Sequence, residues 1–306
     1  SDVCSSDLRS VPGGPLKCRM PSAIAQGRES PTPLAWLLLA LSPALLASNM
    51  VVSRLAAGWV PPLSLTFWRW CLVGLMLTVA LAPQVRAAWP RARQEIPGLS
   101  LLGAIGMTLC GASAYLAGQS TTTVNIGLIY AASPVLMAIL ARVFLHERLD
   151  ALRIGGIALC LVGILVIVSR GSWETLAALQ FNRGDLWALS GSTGWAVYSF
   201  LQMWFRSELA VNVRLGLMSL IGAVITAPFA WVESLSEGGF PFTPHGIALL
   251  TVTVLVASYG SYVVYAKLQR EAGVSFAGLS TYLTPLWAAL LGWIFVGEGL
   301  EAHHLI

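Results

Sequence analysis

The chain has 306 residues, of which 56% are hydrophobic and only 10% charged, and its mean hydropathy is +0.74. So little charge cannot cover a water-soluble surface of this size, which excludes an ordinary soluble domain. The net charge of +4 is explained by basic residues between apolar runs and implies no nucleic-acid partner.

Residues 1–33 are polar, rich in Pro, Gly and Ser, and lack the apolar stretch of a signal peptide. They are expected to form a disordered or non-native tail. Nine apolar runs follow, at roughly 34–54, 63–82, 98–118, 123–145, 151–169, 185–205, 213–232, 246–268 and 274–297. Each approaches the roughly 20 residues that a membrane-crossing helix requires. None alternates in polarity as barrel strands do. An all-α integral membrane protein is predicted, with the lipid bilayer as its surroundings.

A repeat organises these spans. Pro134 and Pro285, Glu147 and Glu298, and Leu149 and Leu300 each stand 151 residues apart. The pattern predicts an inverted repeat of two five-helix units, at 34–170 and 184–306. After Glu298 only eight residues remain, so a ten-helix fold with its last helix missing is expected, leaving nine spans present. With the N-terminus in the cytoplasm, basic residues outside the tail divide ten to three in favour of the inner side, as the positive-inside rule requires. Five spans per unit then make the two units enter from opposite sides. Doubled helical units commonly build carriers that open to either side in turn.

Candidate functional residues come next. Arg69, in Phe67-Trp68-Arg69-Trp70, lies inside the second span. A cation there costs about 2.5–3.5 kcal/mol on insertion scales and needs water, an anion or another partner. Snorkelling to the headgroups beside Trp68 and Trp70 is the alternative, and both stay open. Pro134 and Pro285 each remove a backbone hydrogen bond inside a span, so they are expected as kinks or hinges. Asn49, Trp195, Tyr198, Gln202, Tyr259 and Tyr282 offer neutral donors and aromatic faces, although packing explains any one of them. Glu147 and Glu298 close their spans and are expected to satisfy backbone groups or a basic residue at a bend. No Asp or Glu falls deep inside a run. The five cysteines and four histidines show no metal-ligand spacing, so no metal or cofactor is expected. An intramembrane enzyme would need a convergent His, Asp or metal cluster, and no catalytic residue is assigned.

Several blocks together resemble the drug/metabolite transporter superfamily, specifically its EamA-type permeases. They are Ser48-Asn49-Met50-Val51-Val52-Ser53-Arg54, Pro61-Pro62-Leu63, the arginine-bearing second span, and the doubled proline-to-glutamate block. The resemblance implies a multi-pass carrier of the bacterial inner (plasma) membrane that exports amino acids or related metabolites. It also implies a substrate cavity between the repeats, bordered by Asn49 and Arg69 and faced by Trp195 and Tyr198. A homodimer is compatible with it. A carrier of nucleotide or lipid-linked sugars is the alternative, disfavoured because Arg69 is the one evident cavity cation.

Overall fold

Short polar residues at the edges of the apolar runs set where the helices begin. Thr32, Thr122, Asn182 and Thr243 each accept a hydrogen bond from a backbone N–H two or three residues ahead, supplying acceptors that a helix N-terminus lacks. The computed structural model describes residues 32–144, 182–205 and 207–298, with positions 155, 156, 159 and 162. The helices are α1 (Pro33–Ala56), α2 (Pro62–Ala80), α3 (Ala82–Leu102), α4 (Cys110–Gly118), α5 (Thr123–Tyr130) and α6 (Ser133–Phe144). After the gap come α7 (Arg183–Trp204), α8 (Val211–Glu237), α9 (Pro244–Val252) and α10 (Ser261–Val296). Among the described residues, six stretches are long and apolar enough to cross a membrane, including the continuous Ala82–Gly118 and Pro244–Ala272. This is a multi-pass membrane protein.

Two π-helical segments interrupt the long helices, at Gly103–Leu109 and Thr253–Gly260. Their last residues stand 151 apart, the offset that separates Pro134 from Pro285. π-Segments are rare and concentrate at functional sites.

Three boundaries differ from the sequence expectation. The connection expected between residues 82 and 98 is helical throughout, as α3. Its Ala, Arg, Gln and Glu are good helix formers, and an apolar-run criterion passes over a polar helix. The run at 123–145 is broken at Ala131–Ala132, just before Pro134, which cannot donate to the preceding turn. The break expected between 268 and 274 is instead spanned by helical backbone within α10. Even so, α10 doubles back against α1. Gly260 lies beside Leu45 in mid-α1, Phe276 packs edge-on against Trp36 at 5.3 Å, and Glu298 reaches Arg54 at the far end. The expected span at 151–169 lies outside the described residues.

In lipid, helices associate through close packing and satisfied polar groups. α2 runs along α8, and α1 along α10. Thr108 and Thr226 hydroxyls meet at 2.9 Å where the first π-segment crosses α8. The start of α2 has no cap of its own. Glu233 of α8 supplies one, its two carboxylate oxygens accepting from the N–H groups of Leu63 (3.0 Å) and Ser64 (2.7 Å). An anion at a helix N-terminus meets the positive end of the dipole. Glu233→Ala is therefore expected to lower stability by about 1–2 kcal/mol, read as a lower Tm in detergent, with Glu233→Gln falling in between.

Candidate functional site

Arg69 is 2% exposed, so it does not snorkel out of the helix bundle. Its guanidinium Nη1 donates to Asn49 Oδ1 at 2.7 Å and to the Tyr115 hydroxyl at 2.6 Å. The Tyr115 hydroxyl also donates to Asn49 Oδ1, at 3.2 Å. The cation stacks over the Trp70 ring, 4.3 Å from its centroid, a favourable geometry for a desolvated guanidinium. Every one of these partners is neutral. The ion pairs among the described residues are Arg54–Glu298 and Arg91–Glu208, and Arg69 Nε has no hydrogen-bond partner. A buried guanidinium without a carboxylate retains most of its desolvation cost, and an arriving oxyanion would offset it.

Arg69 lines a cavity of about 40 Å³ with Asn49 from α1 and Trp195 from α7. Both halves of the chain contribute to its walls in matched positions. Cys110 and Ser261, Gly111 and Tyr262, and Tyr130 and Thr281 are pairs 151 residues apart, and all six line it. Cys110 and Ser261 are the first residues after the two π-segments. Small-molecule sites usually occupy roughly 300–1,000 Å³, so this cavity is too small to hold a whole metabolite, and one enters only if the walls part.

Beside it stands an aromatic cluster. Trp195 packs on Tyr198, Tyr262 and Tyr265 with ring centroids 5.5, 5.5 and 5.1 Å apart. The Tyr262 hydroxyl donates to the Gly106 carbonyl at 3.1 Å, and Gln202 Nε2 donates to the Tyr198 hydroxyl at 2.7 Å. Tyr198 and Gln202 face a second cavity on the other side of Tyr262.

Of the sequence-predicted residues, the structure thus gathers Asn49, Arg69 and Trp195 around the first cavity, and Tyr198 and Gln202 around the second. Tyr259, inside the second π-segment, packs against the hydrophobic core. Tyr282 is 46% exposed on the outside of α10. Helical geometry explains this, because Thr281 and Thr284 line the cavity and share a face from which Tyr282 is turned by about 100°. Pro134 is the second residue of α6, and Pro285 lies inside α10 next to Thr284. Glu298 fastens three elements, with Oε1 on Arg54 Nε at 3.0 Å and Oε2 accepting from the Thr123 N–H at 2.9 Å, while Arg54 Nη1 donates to the Gly118 carbonyl. Gly297 ends α10 at φ +74°, a left-handed turn that suits glycine and aims Glu298 back at the bundle. Glu147 lies outside the described residues.

Sequence reasoning passed over Cys110 and Ser261, although the 151-residue offset links them. Arg214 is likewise absent from the sequence-predicted site residues, although its place inside the apolar run 213–232 is an available signal. Asp185, in the first turn of α7, is 6% exposed and accepts from the Thr121 hydroxyl at 2.7 Å.

The whole chain can be compared with known proteins on this basis. An S-adenosylmethionine/S-adenosylhomocysteine transporter of Chlamydia muridarum (strain MoPn / Nigg) is 27% identical over 278 residues, 87% of this chain and 85% of that protein. An uncharacterized transporter of Bacillus subtilis (strain 168), YyaM, is 24% identical over 257 residues, 83% of each chain. A crystal structure at 19% identity shares the fold with a TM-score of 0.58, covering 89% of this chain and 91% of that one. The pattern of the EamA-like transporter family matches residues 34–169 and again 182–306. With nearly all of the helical chain inside those two stretches, the protein belongs to the EamA-like transporter family of membrane transporters, as its motifs predict.

Proposed function

We propose that the protein is a secondary transporter that exports small metabolites, foremost amino acids and their derivatives, across the bacterial inner membrane. Its substrate sits between two inverted five-helix repeats, at 34–170 and 184–306, which rock around a central site. Nine spans cross the membrane, and the N-terminus is cytoplasmic. The two family matches, the paired π-segments and the cavity lined by matched positions support the repeat. The fold-back of α10 supports separate eighth and ninth spans. The excess of basic residues at one side supports the orientation.

The observation that carries the substrate class is Arg69, a buried cation on the cavity wall with no acidic partner among the described residues. It suits a carboxylate, and the rings of Trp195 and Tyr262 suit an apolar or flat remainder. S-adenosylmethionine, in the name of the Chlamydia relative, combines an amino-acid head with a flat base and fits this description. A second reading, a nucleotide-sugar or lipid-linked sugar carrier, draws support from two further arginines at the second cavity.

Counterflow in proteoliposomes tests both. Saturable exchange of labelled amino acids or S-adenosylmethionine is expected. Exchange of nucleotide sugars with none of amino acids would replace the first reading by the second.

A further inference from the structure

The geometry points to a second binding site, for the oxyanion of a small solute, at the end of the bundle that carries Trp36 and Phe276. Its floor is the far side of the aromatic cluster, and its ligands are Arg214 and Arg270. The cavity has about 40 Å³, room for an oxyanion group while the rest of the solute stays outside past the exposed Arg270, and is lined by Arg214, Arg270, Gln202, Tyr198 and Tyr262.

Two cations meet in this cavity without an acidic partner. Arg214 is 9% exposed, donates through Nη2 to the Phe205 carbonyl at 2.9 Å, and keeps a buried Nε with no partner. Arg270 donates through Nη2 to the Leu209 carbonyl at 3.2 Å. Neither is in an ion pair among the described residues; the carboxylate whose field reaches Arg214 is Glu95, beyond ion-pair contact. Glu208, on the same connection, is engaged by Arg91 at 3.1 Å. Two guanidiniums held close together repel each other. Their forks are each fixed by a backbone carbonyl, with N–H donors to spare. An oxyanion between them would satisfy those donors and neutralise the repulsion, and Gln202 adds a neutral amide to the same wall.

The position gives the site a role. Tyr262 lines both cavities, so one aromatic layer separates the Arg214–Arg270 pair from Arg69. A carboxylate or phosphate captured at this pair has Arg69 as its next cation once Tyr198 and Tyr262 move aside. This role rests on the reading of the chain as a carrier, whereas binding at the pair does not.

The test therefore measures binding without transport. The purified full chain in neutral detergent is titrated calorimetrically with glutamate and, separately, with inorganic phosphate. Saturable binding of at least one is expected, weakened 10-fold or more in both Arg214→Gln and Arg270→Gln. Arg93→Gln, which removes an exposed cation from the same helix as Arg91 and leaves the Arg91–Glu208 pair in place, should leave it unchanged. Because Arg270 is at the surface, its variant keeps the test valid if Arg214→Gln fails to fold. Absence of binding, equal binding in the Arg270 variant, or binding only of a short-chain anionic phospholipid would each overturn the assignment. Absence of counterflow in the unsubstituted protein, with binding intact, would instead tell against the carrier reading.

Discussion

Arg69→Met is expected to abolish exchange while leaving the protein as stable as before, or more so. The two effects separate because Arg69 is held by groups that do not need it. Asn49 Oδ1 and the Tyr115 hydroxyl are already within hydrogen-bond distance of each other, so neither is orphaned when the guanidinium leaves. Met is a pliable side chain that can occupy the face of Trp70. Replacing buried charges by apolar groups of similar volume is often neutral or stabilising, by about 1–4 kcal/mol. The substrate loses its charged anchor, at a cost of about 3 kcal/mol for hydrogen bonds to a charged group, a little over 100-fold. Counterflow measured beside thermal unfolding reads both quantities. Arg69→Lys keeps the charge but loses the planar fork, and should recover only part of the exchange. Exchange that survived Arg69→Met with a lowered Tm would make Arg69 a structural residue.

The family and the multi-pass membrane character were legible because lipid imposes a coarse rule. A run of about 20 apolar residues has few other uses, and a repeat at fixed offset cannot be produced by composition. Arg69 was legible for the same reason, since a lone cation inside such a run stands out. The helix over Ala82–Leu102 was not, because its residues are polar and hydropathy does not distinguish a polar helix from a loop. Side-chain direction was legible only in part. Tyr282 and Thr281 are adjacent in sequence, yet one is on the outer surface and the other lines the cavity. Their assignment depends on the phase of the stretch of α10 that holds Pro285. Cys110 and Ser261 were hidden because an isolated Cys or Ser in a span is ordinary packing. The π-segments before them, a backbone property with no composition of its own, are what make them matched.

The same π-segments carry the second large effect, at Gly106. A Cβ placed there would lie 2.3 Å from Tyr198 Cδ2 and 2.6 Å from Cε2. Tyr198 can retreat only toward the second cavity, being 1% exposed and packed between Trp195 and Tyr262. The backbone cannot retreat freely either, because the Gly106 carbonyl accepts the Tyr262 hydroxyl. The counterpart of Gly106 at the 151-residue offset is Ala257, which has its Cβ and lines the central cavity, as Met50 does. Met50 in turn corresponds to Tyr198 by the offset that aligns Ala40-Leu41-Ser42 with Ala188-Leu189-Ser190. Of these two matched cross-repeat pairs, one sets alanine against a pliable thioether and the other sets glycine against a rigid ring. Gly106→Ala is expected to cost about 1–3 kcal/mol of overpacking, lowering Tm, and to reduce exchange 10-fold or more by displacing the aromatic layer between the two cavities. Adding Tyr198→Met should restore Tm, giving a coupling energy of about 1 kcal/mol or more between the two positions. Exchange should stay low in the double variant, because the ring that closes the layer is then gone. If Gly106→Ala left both Tm and exchange unchanged, the aromatic layer would have to be soft enough to absorb a methyl group, and its role as a barrier between the cavities would fall with it.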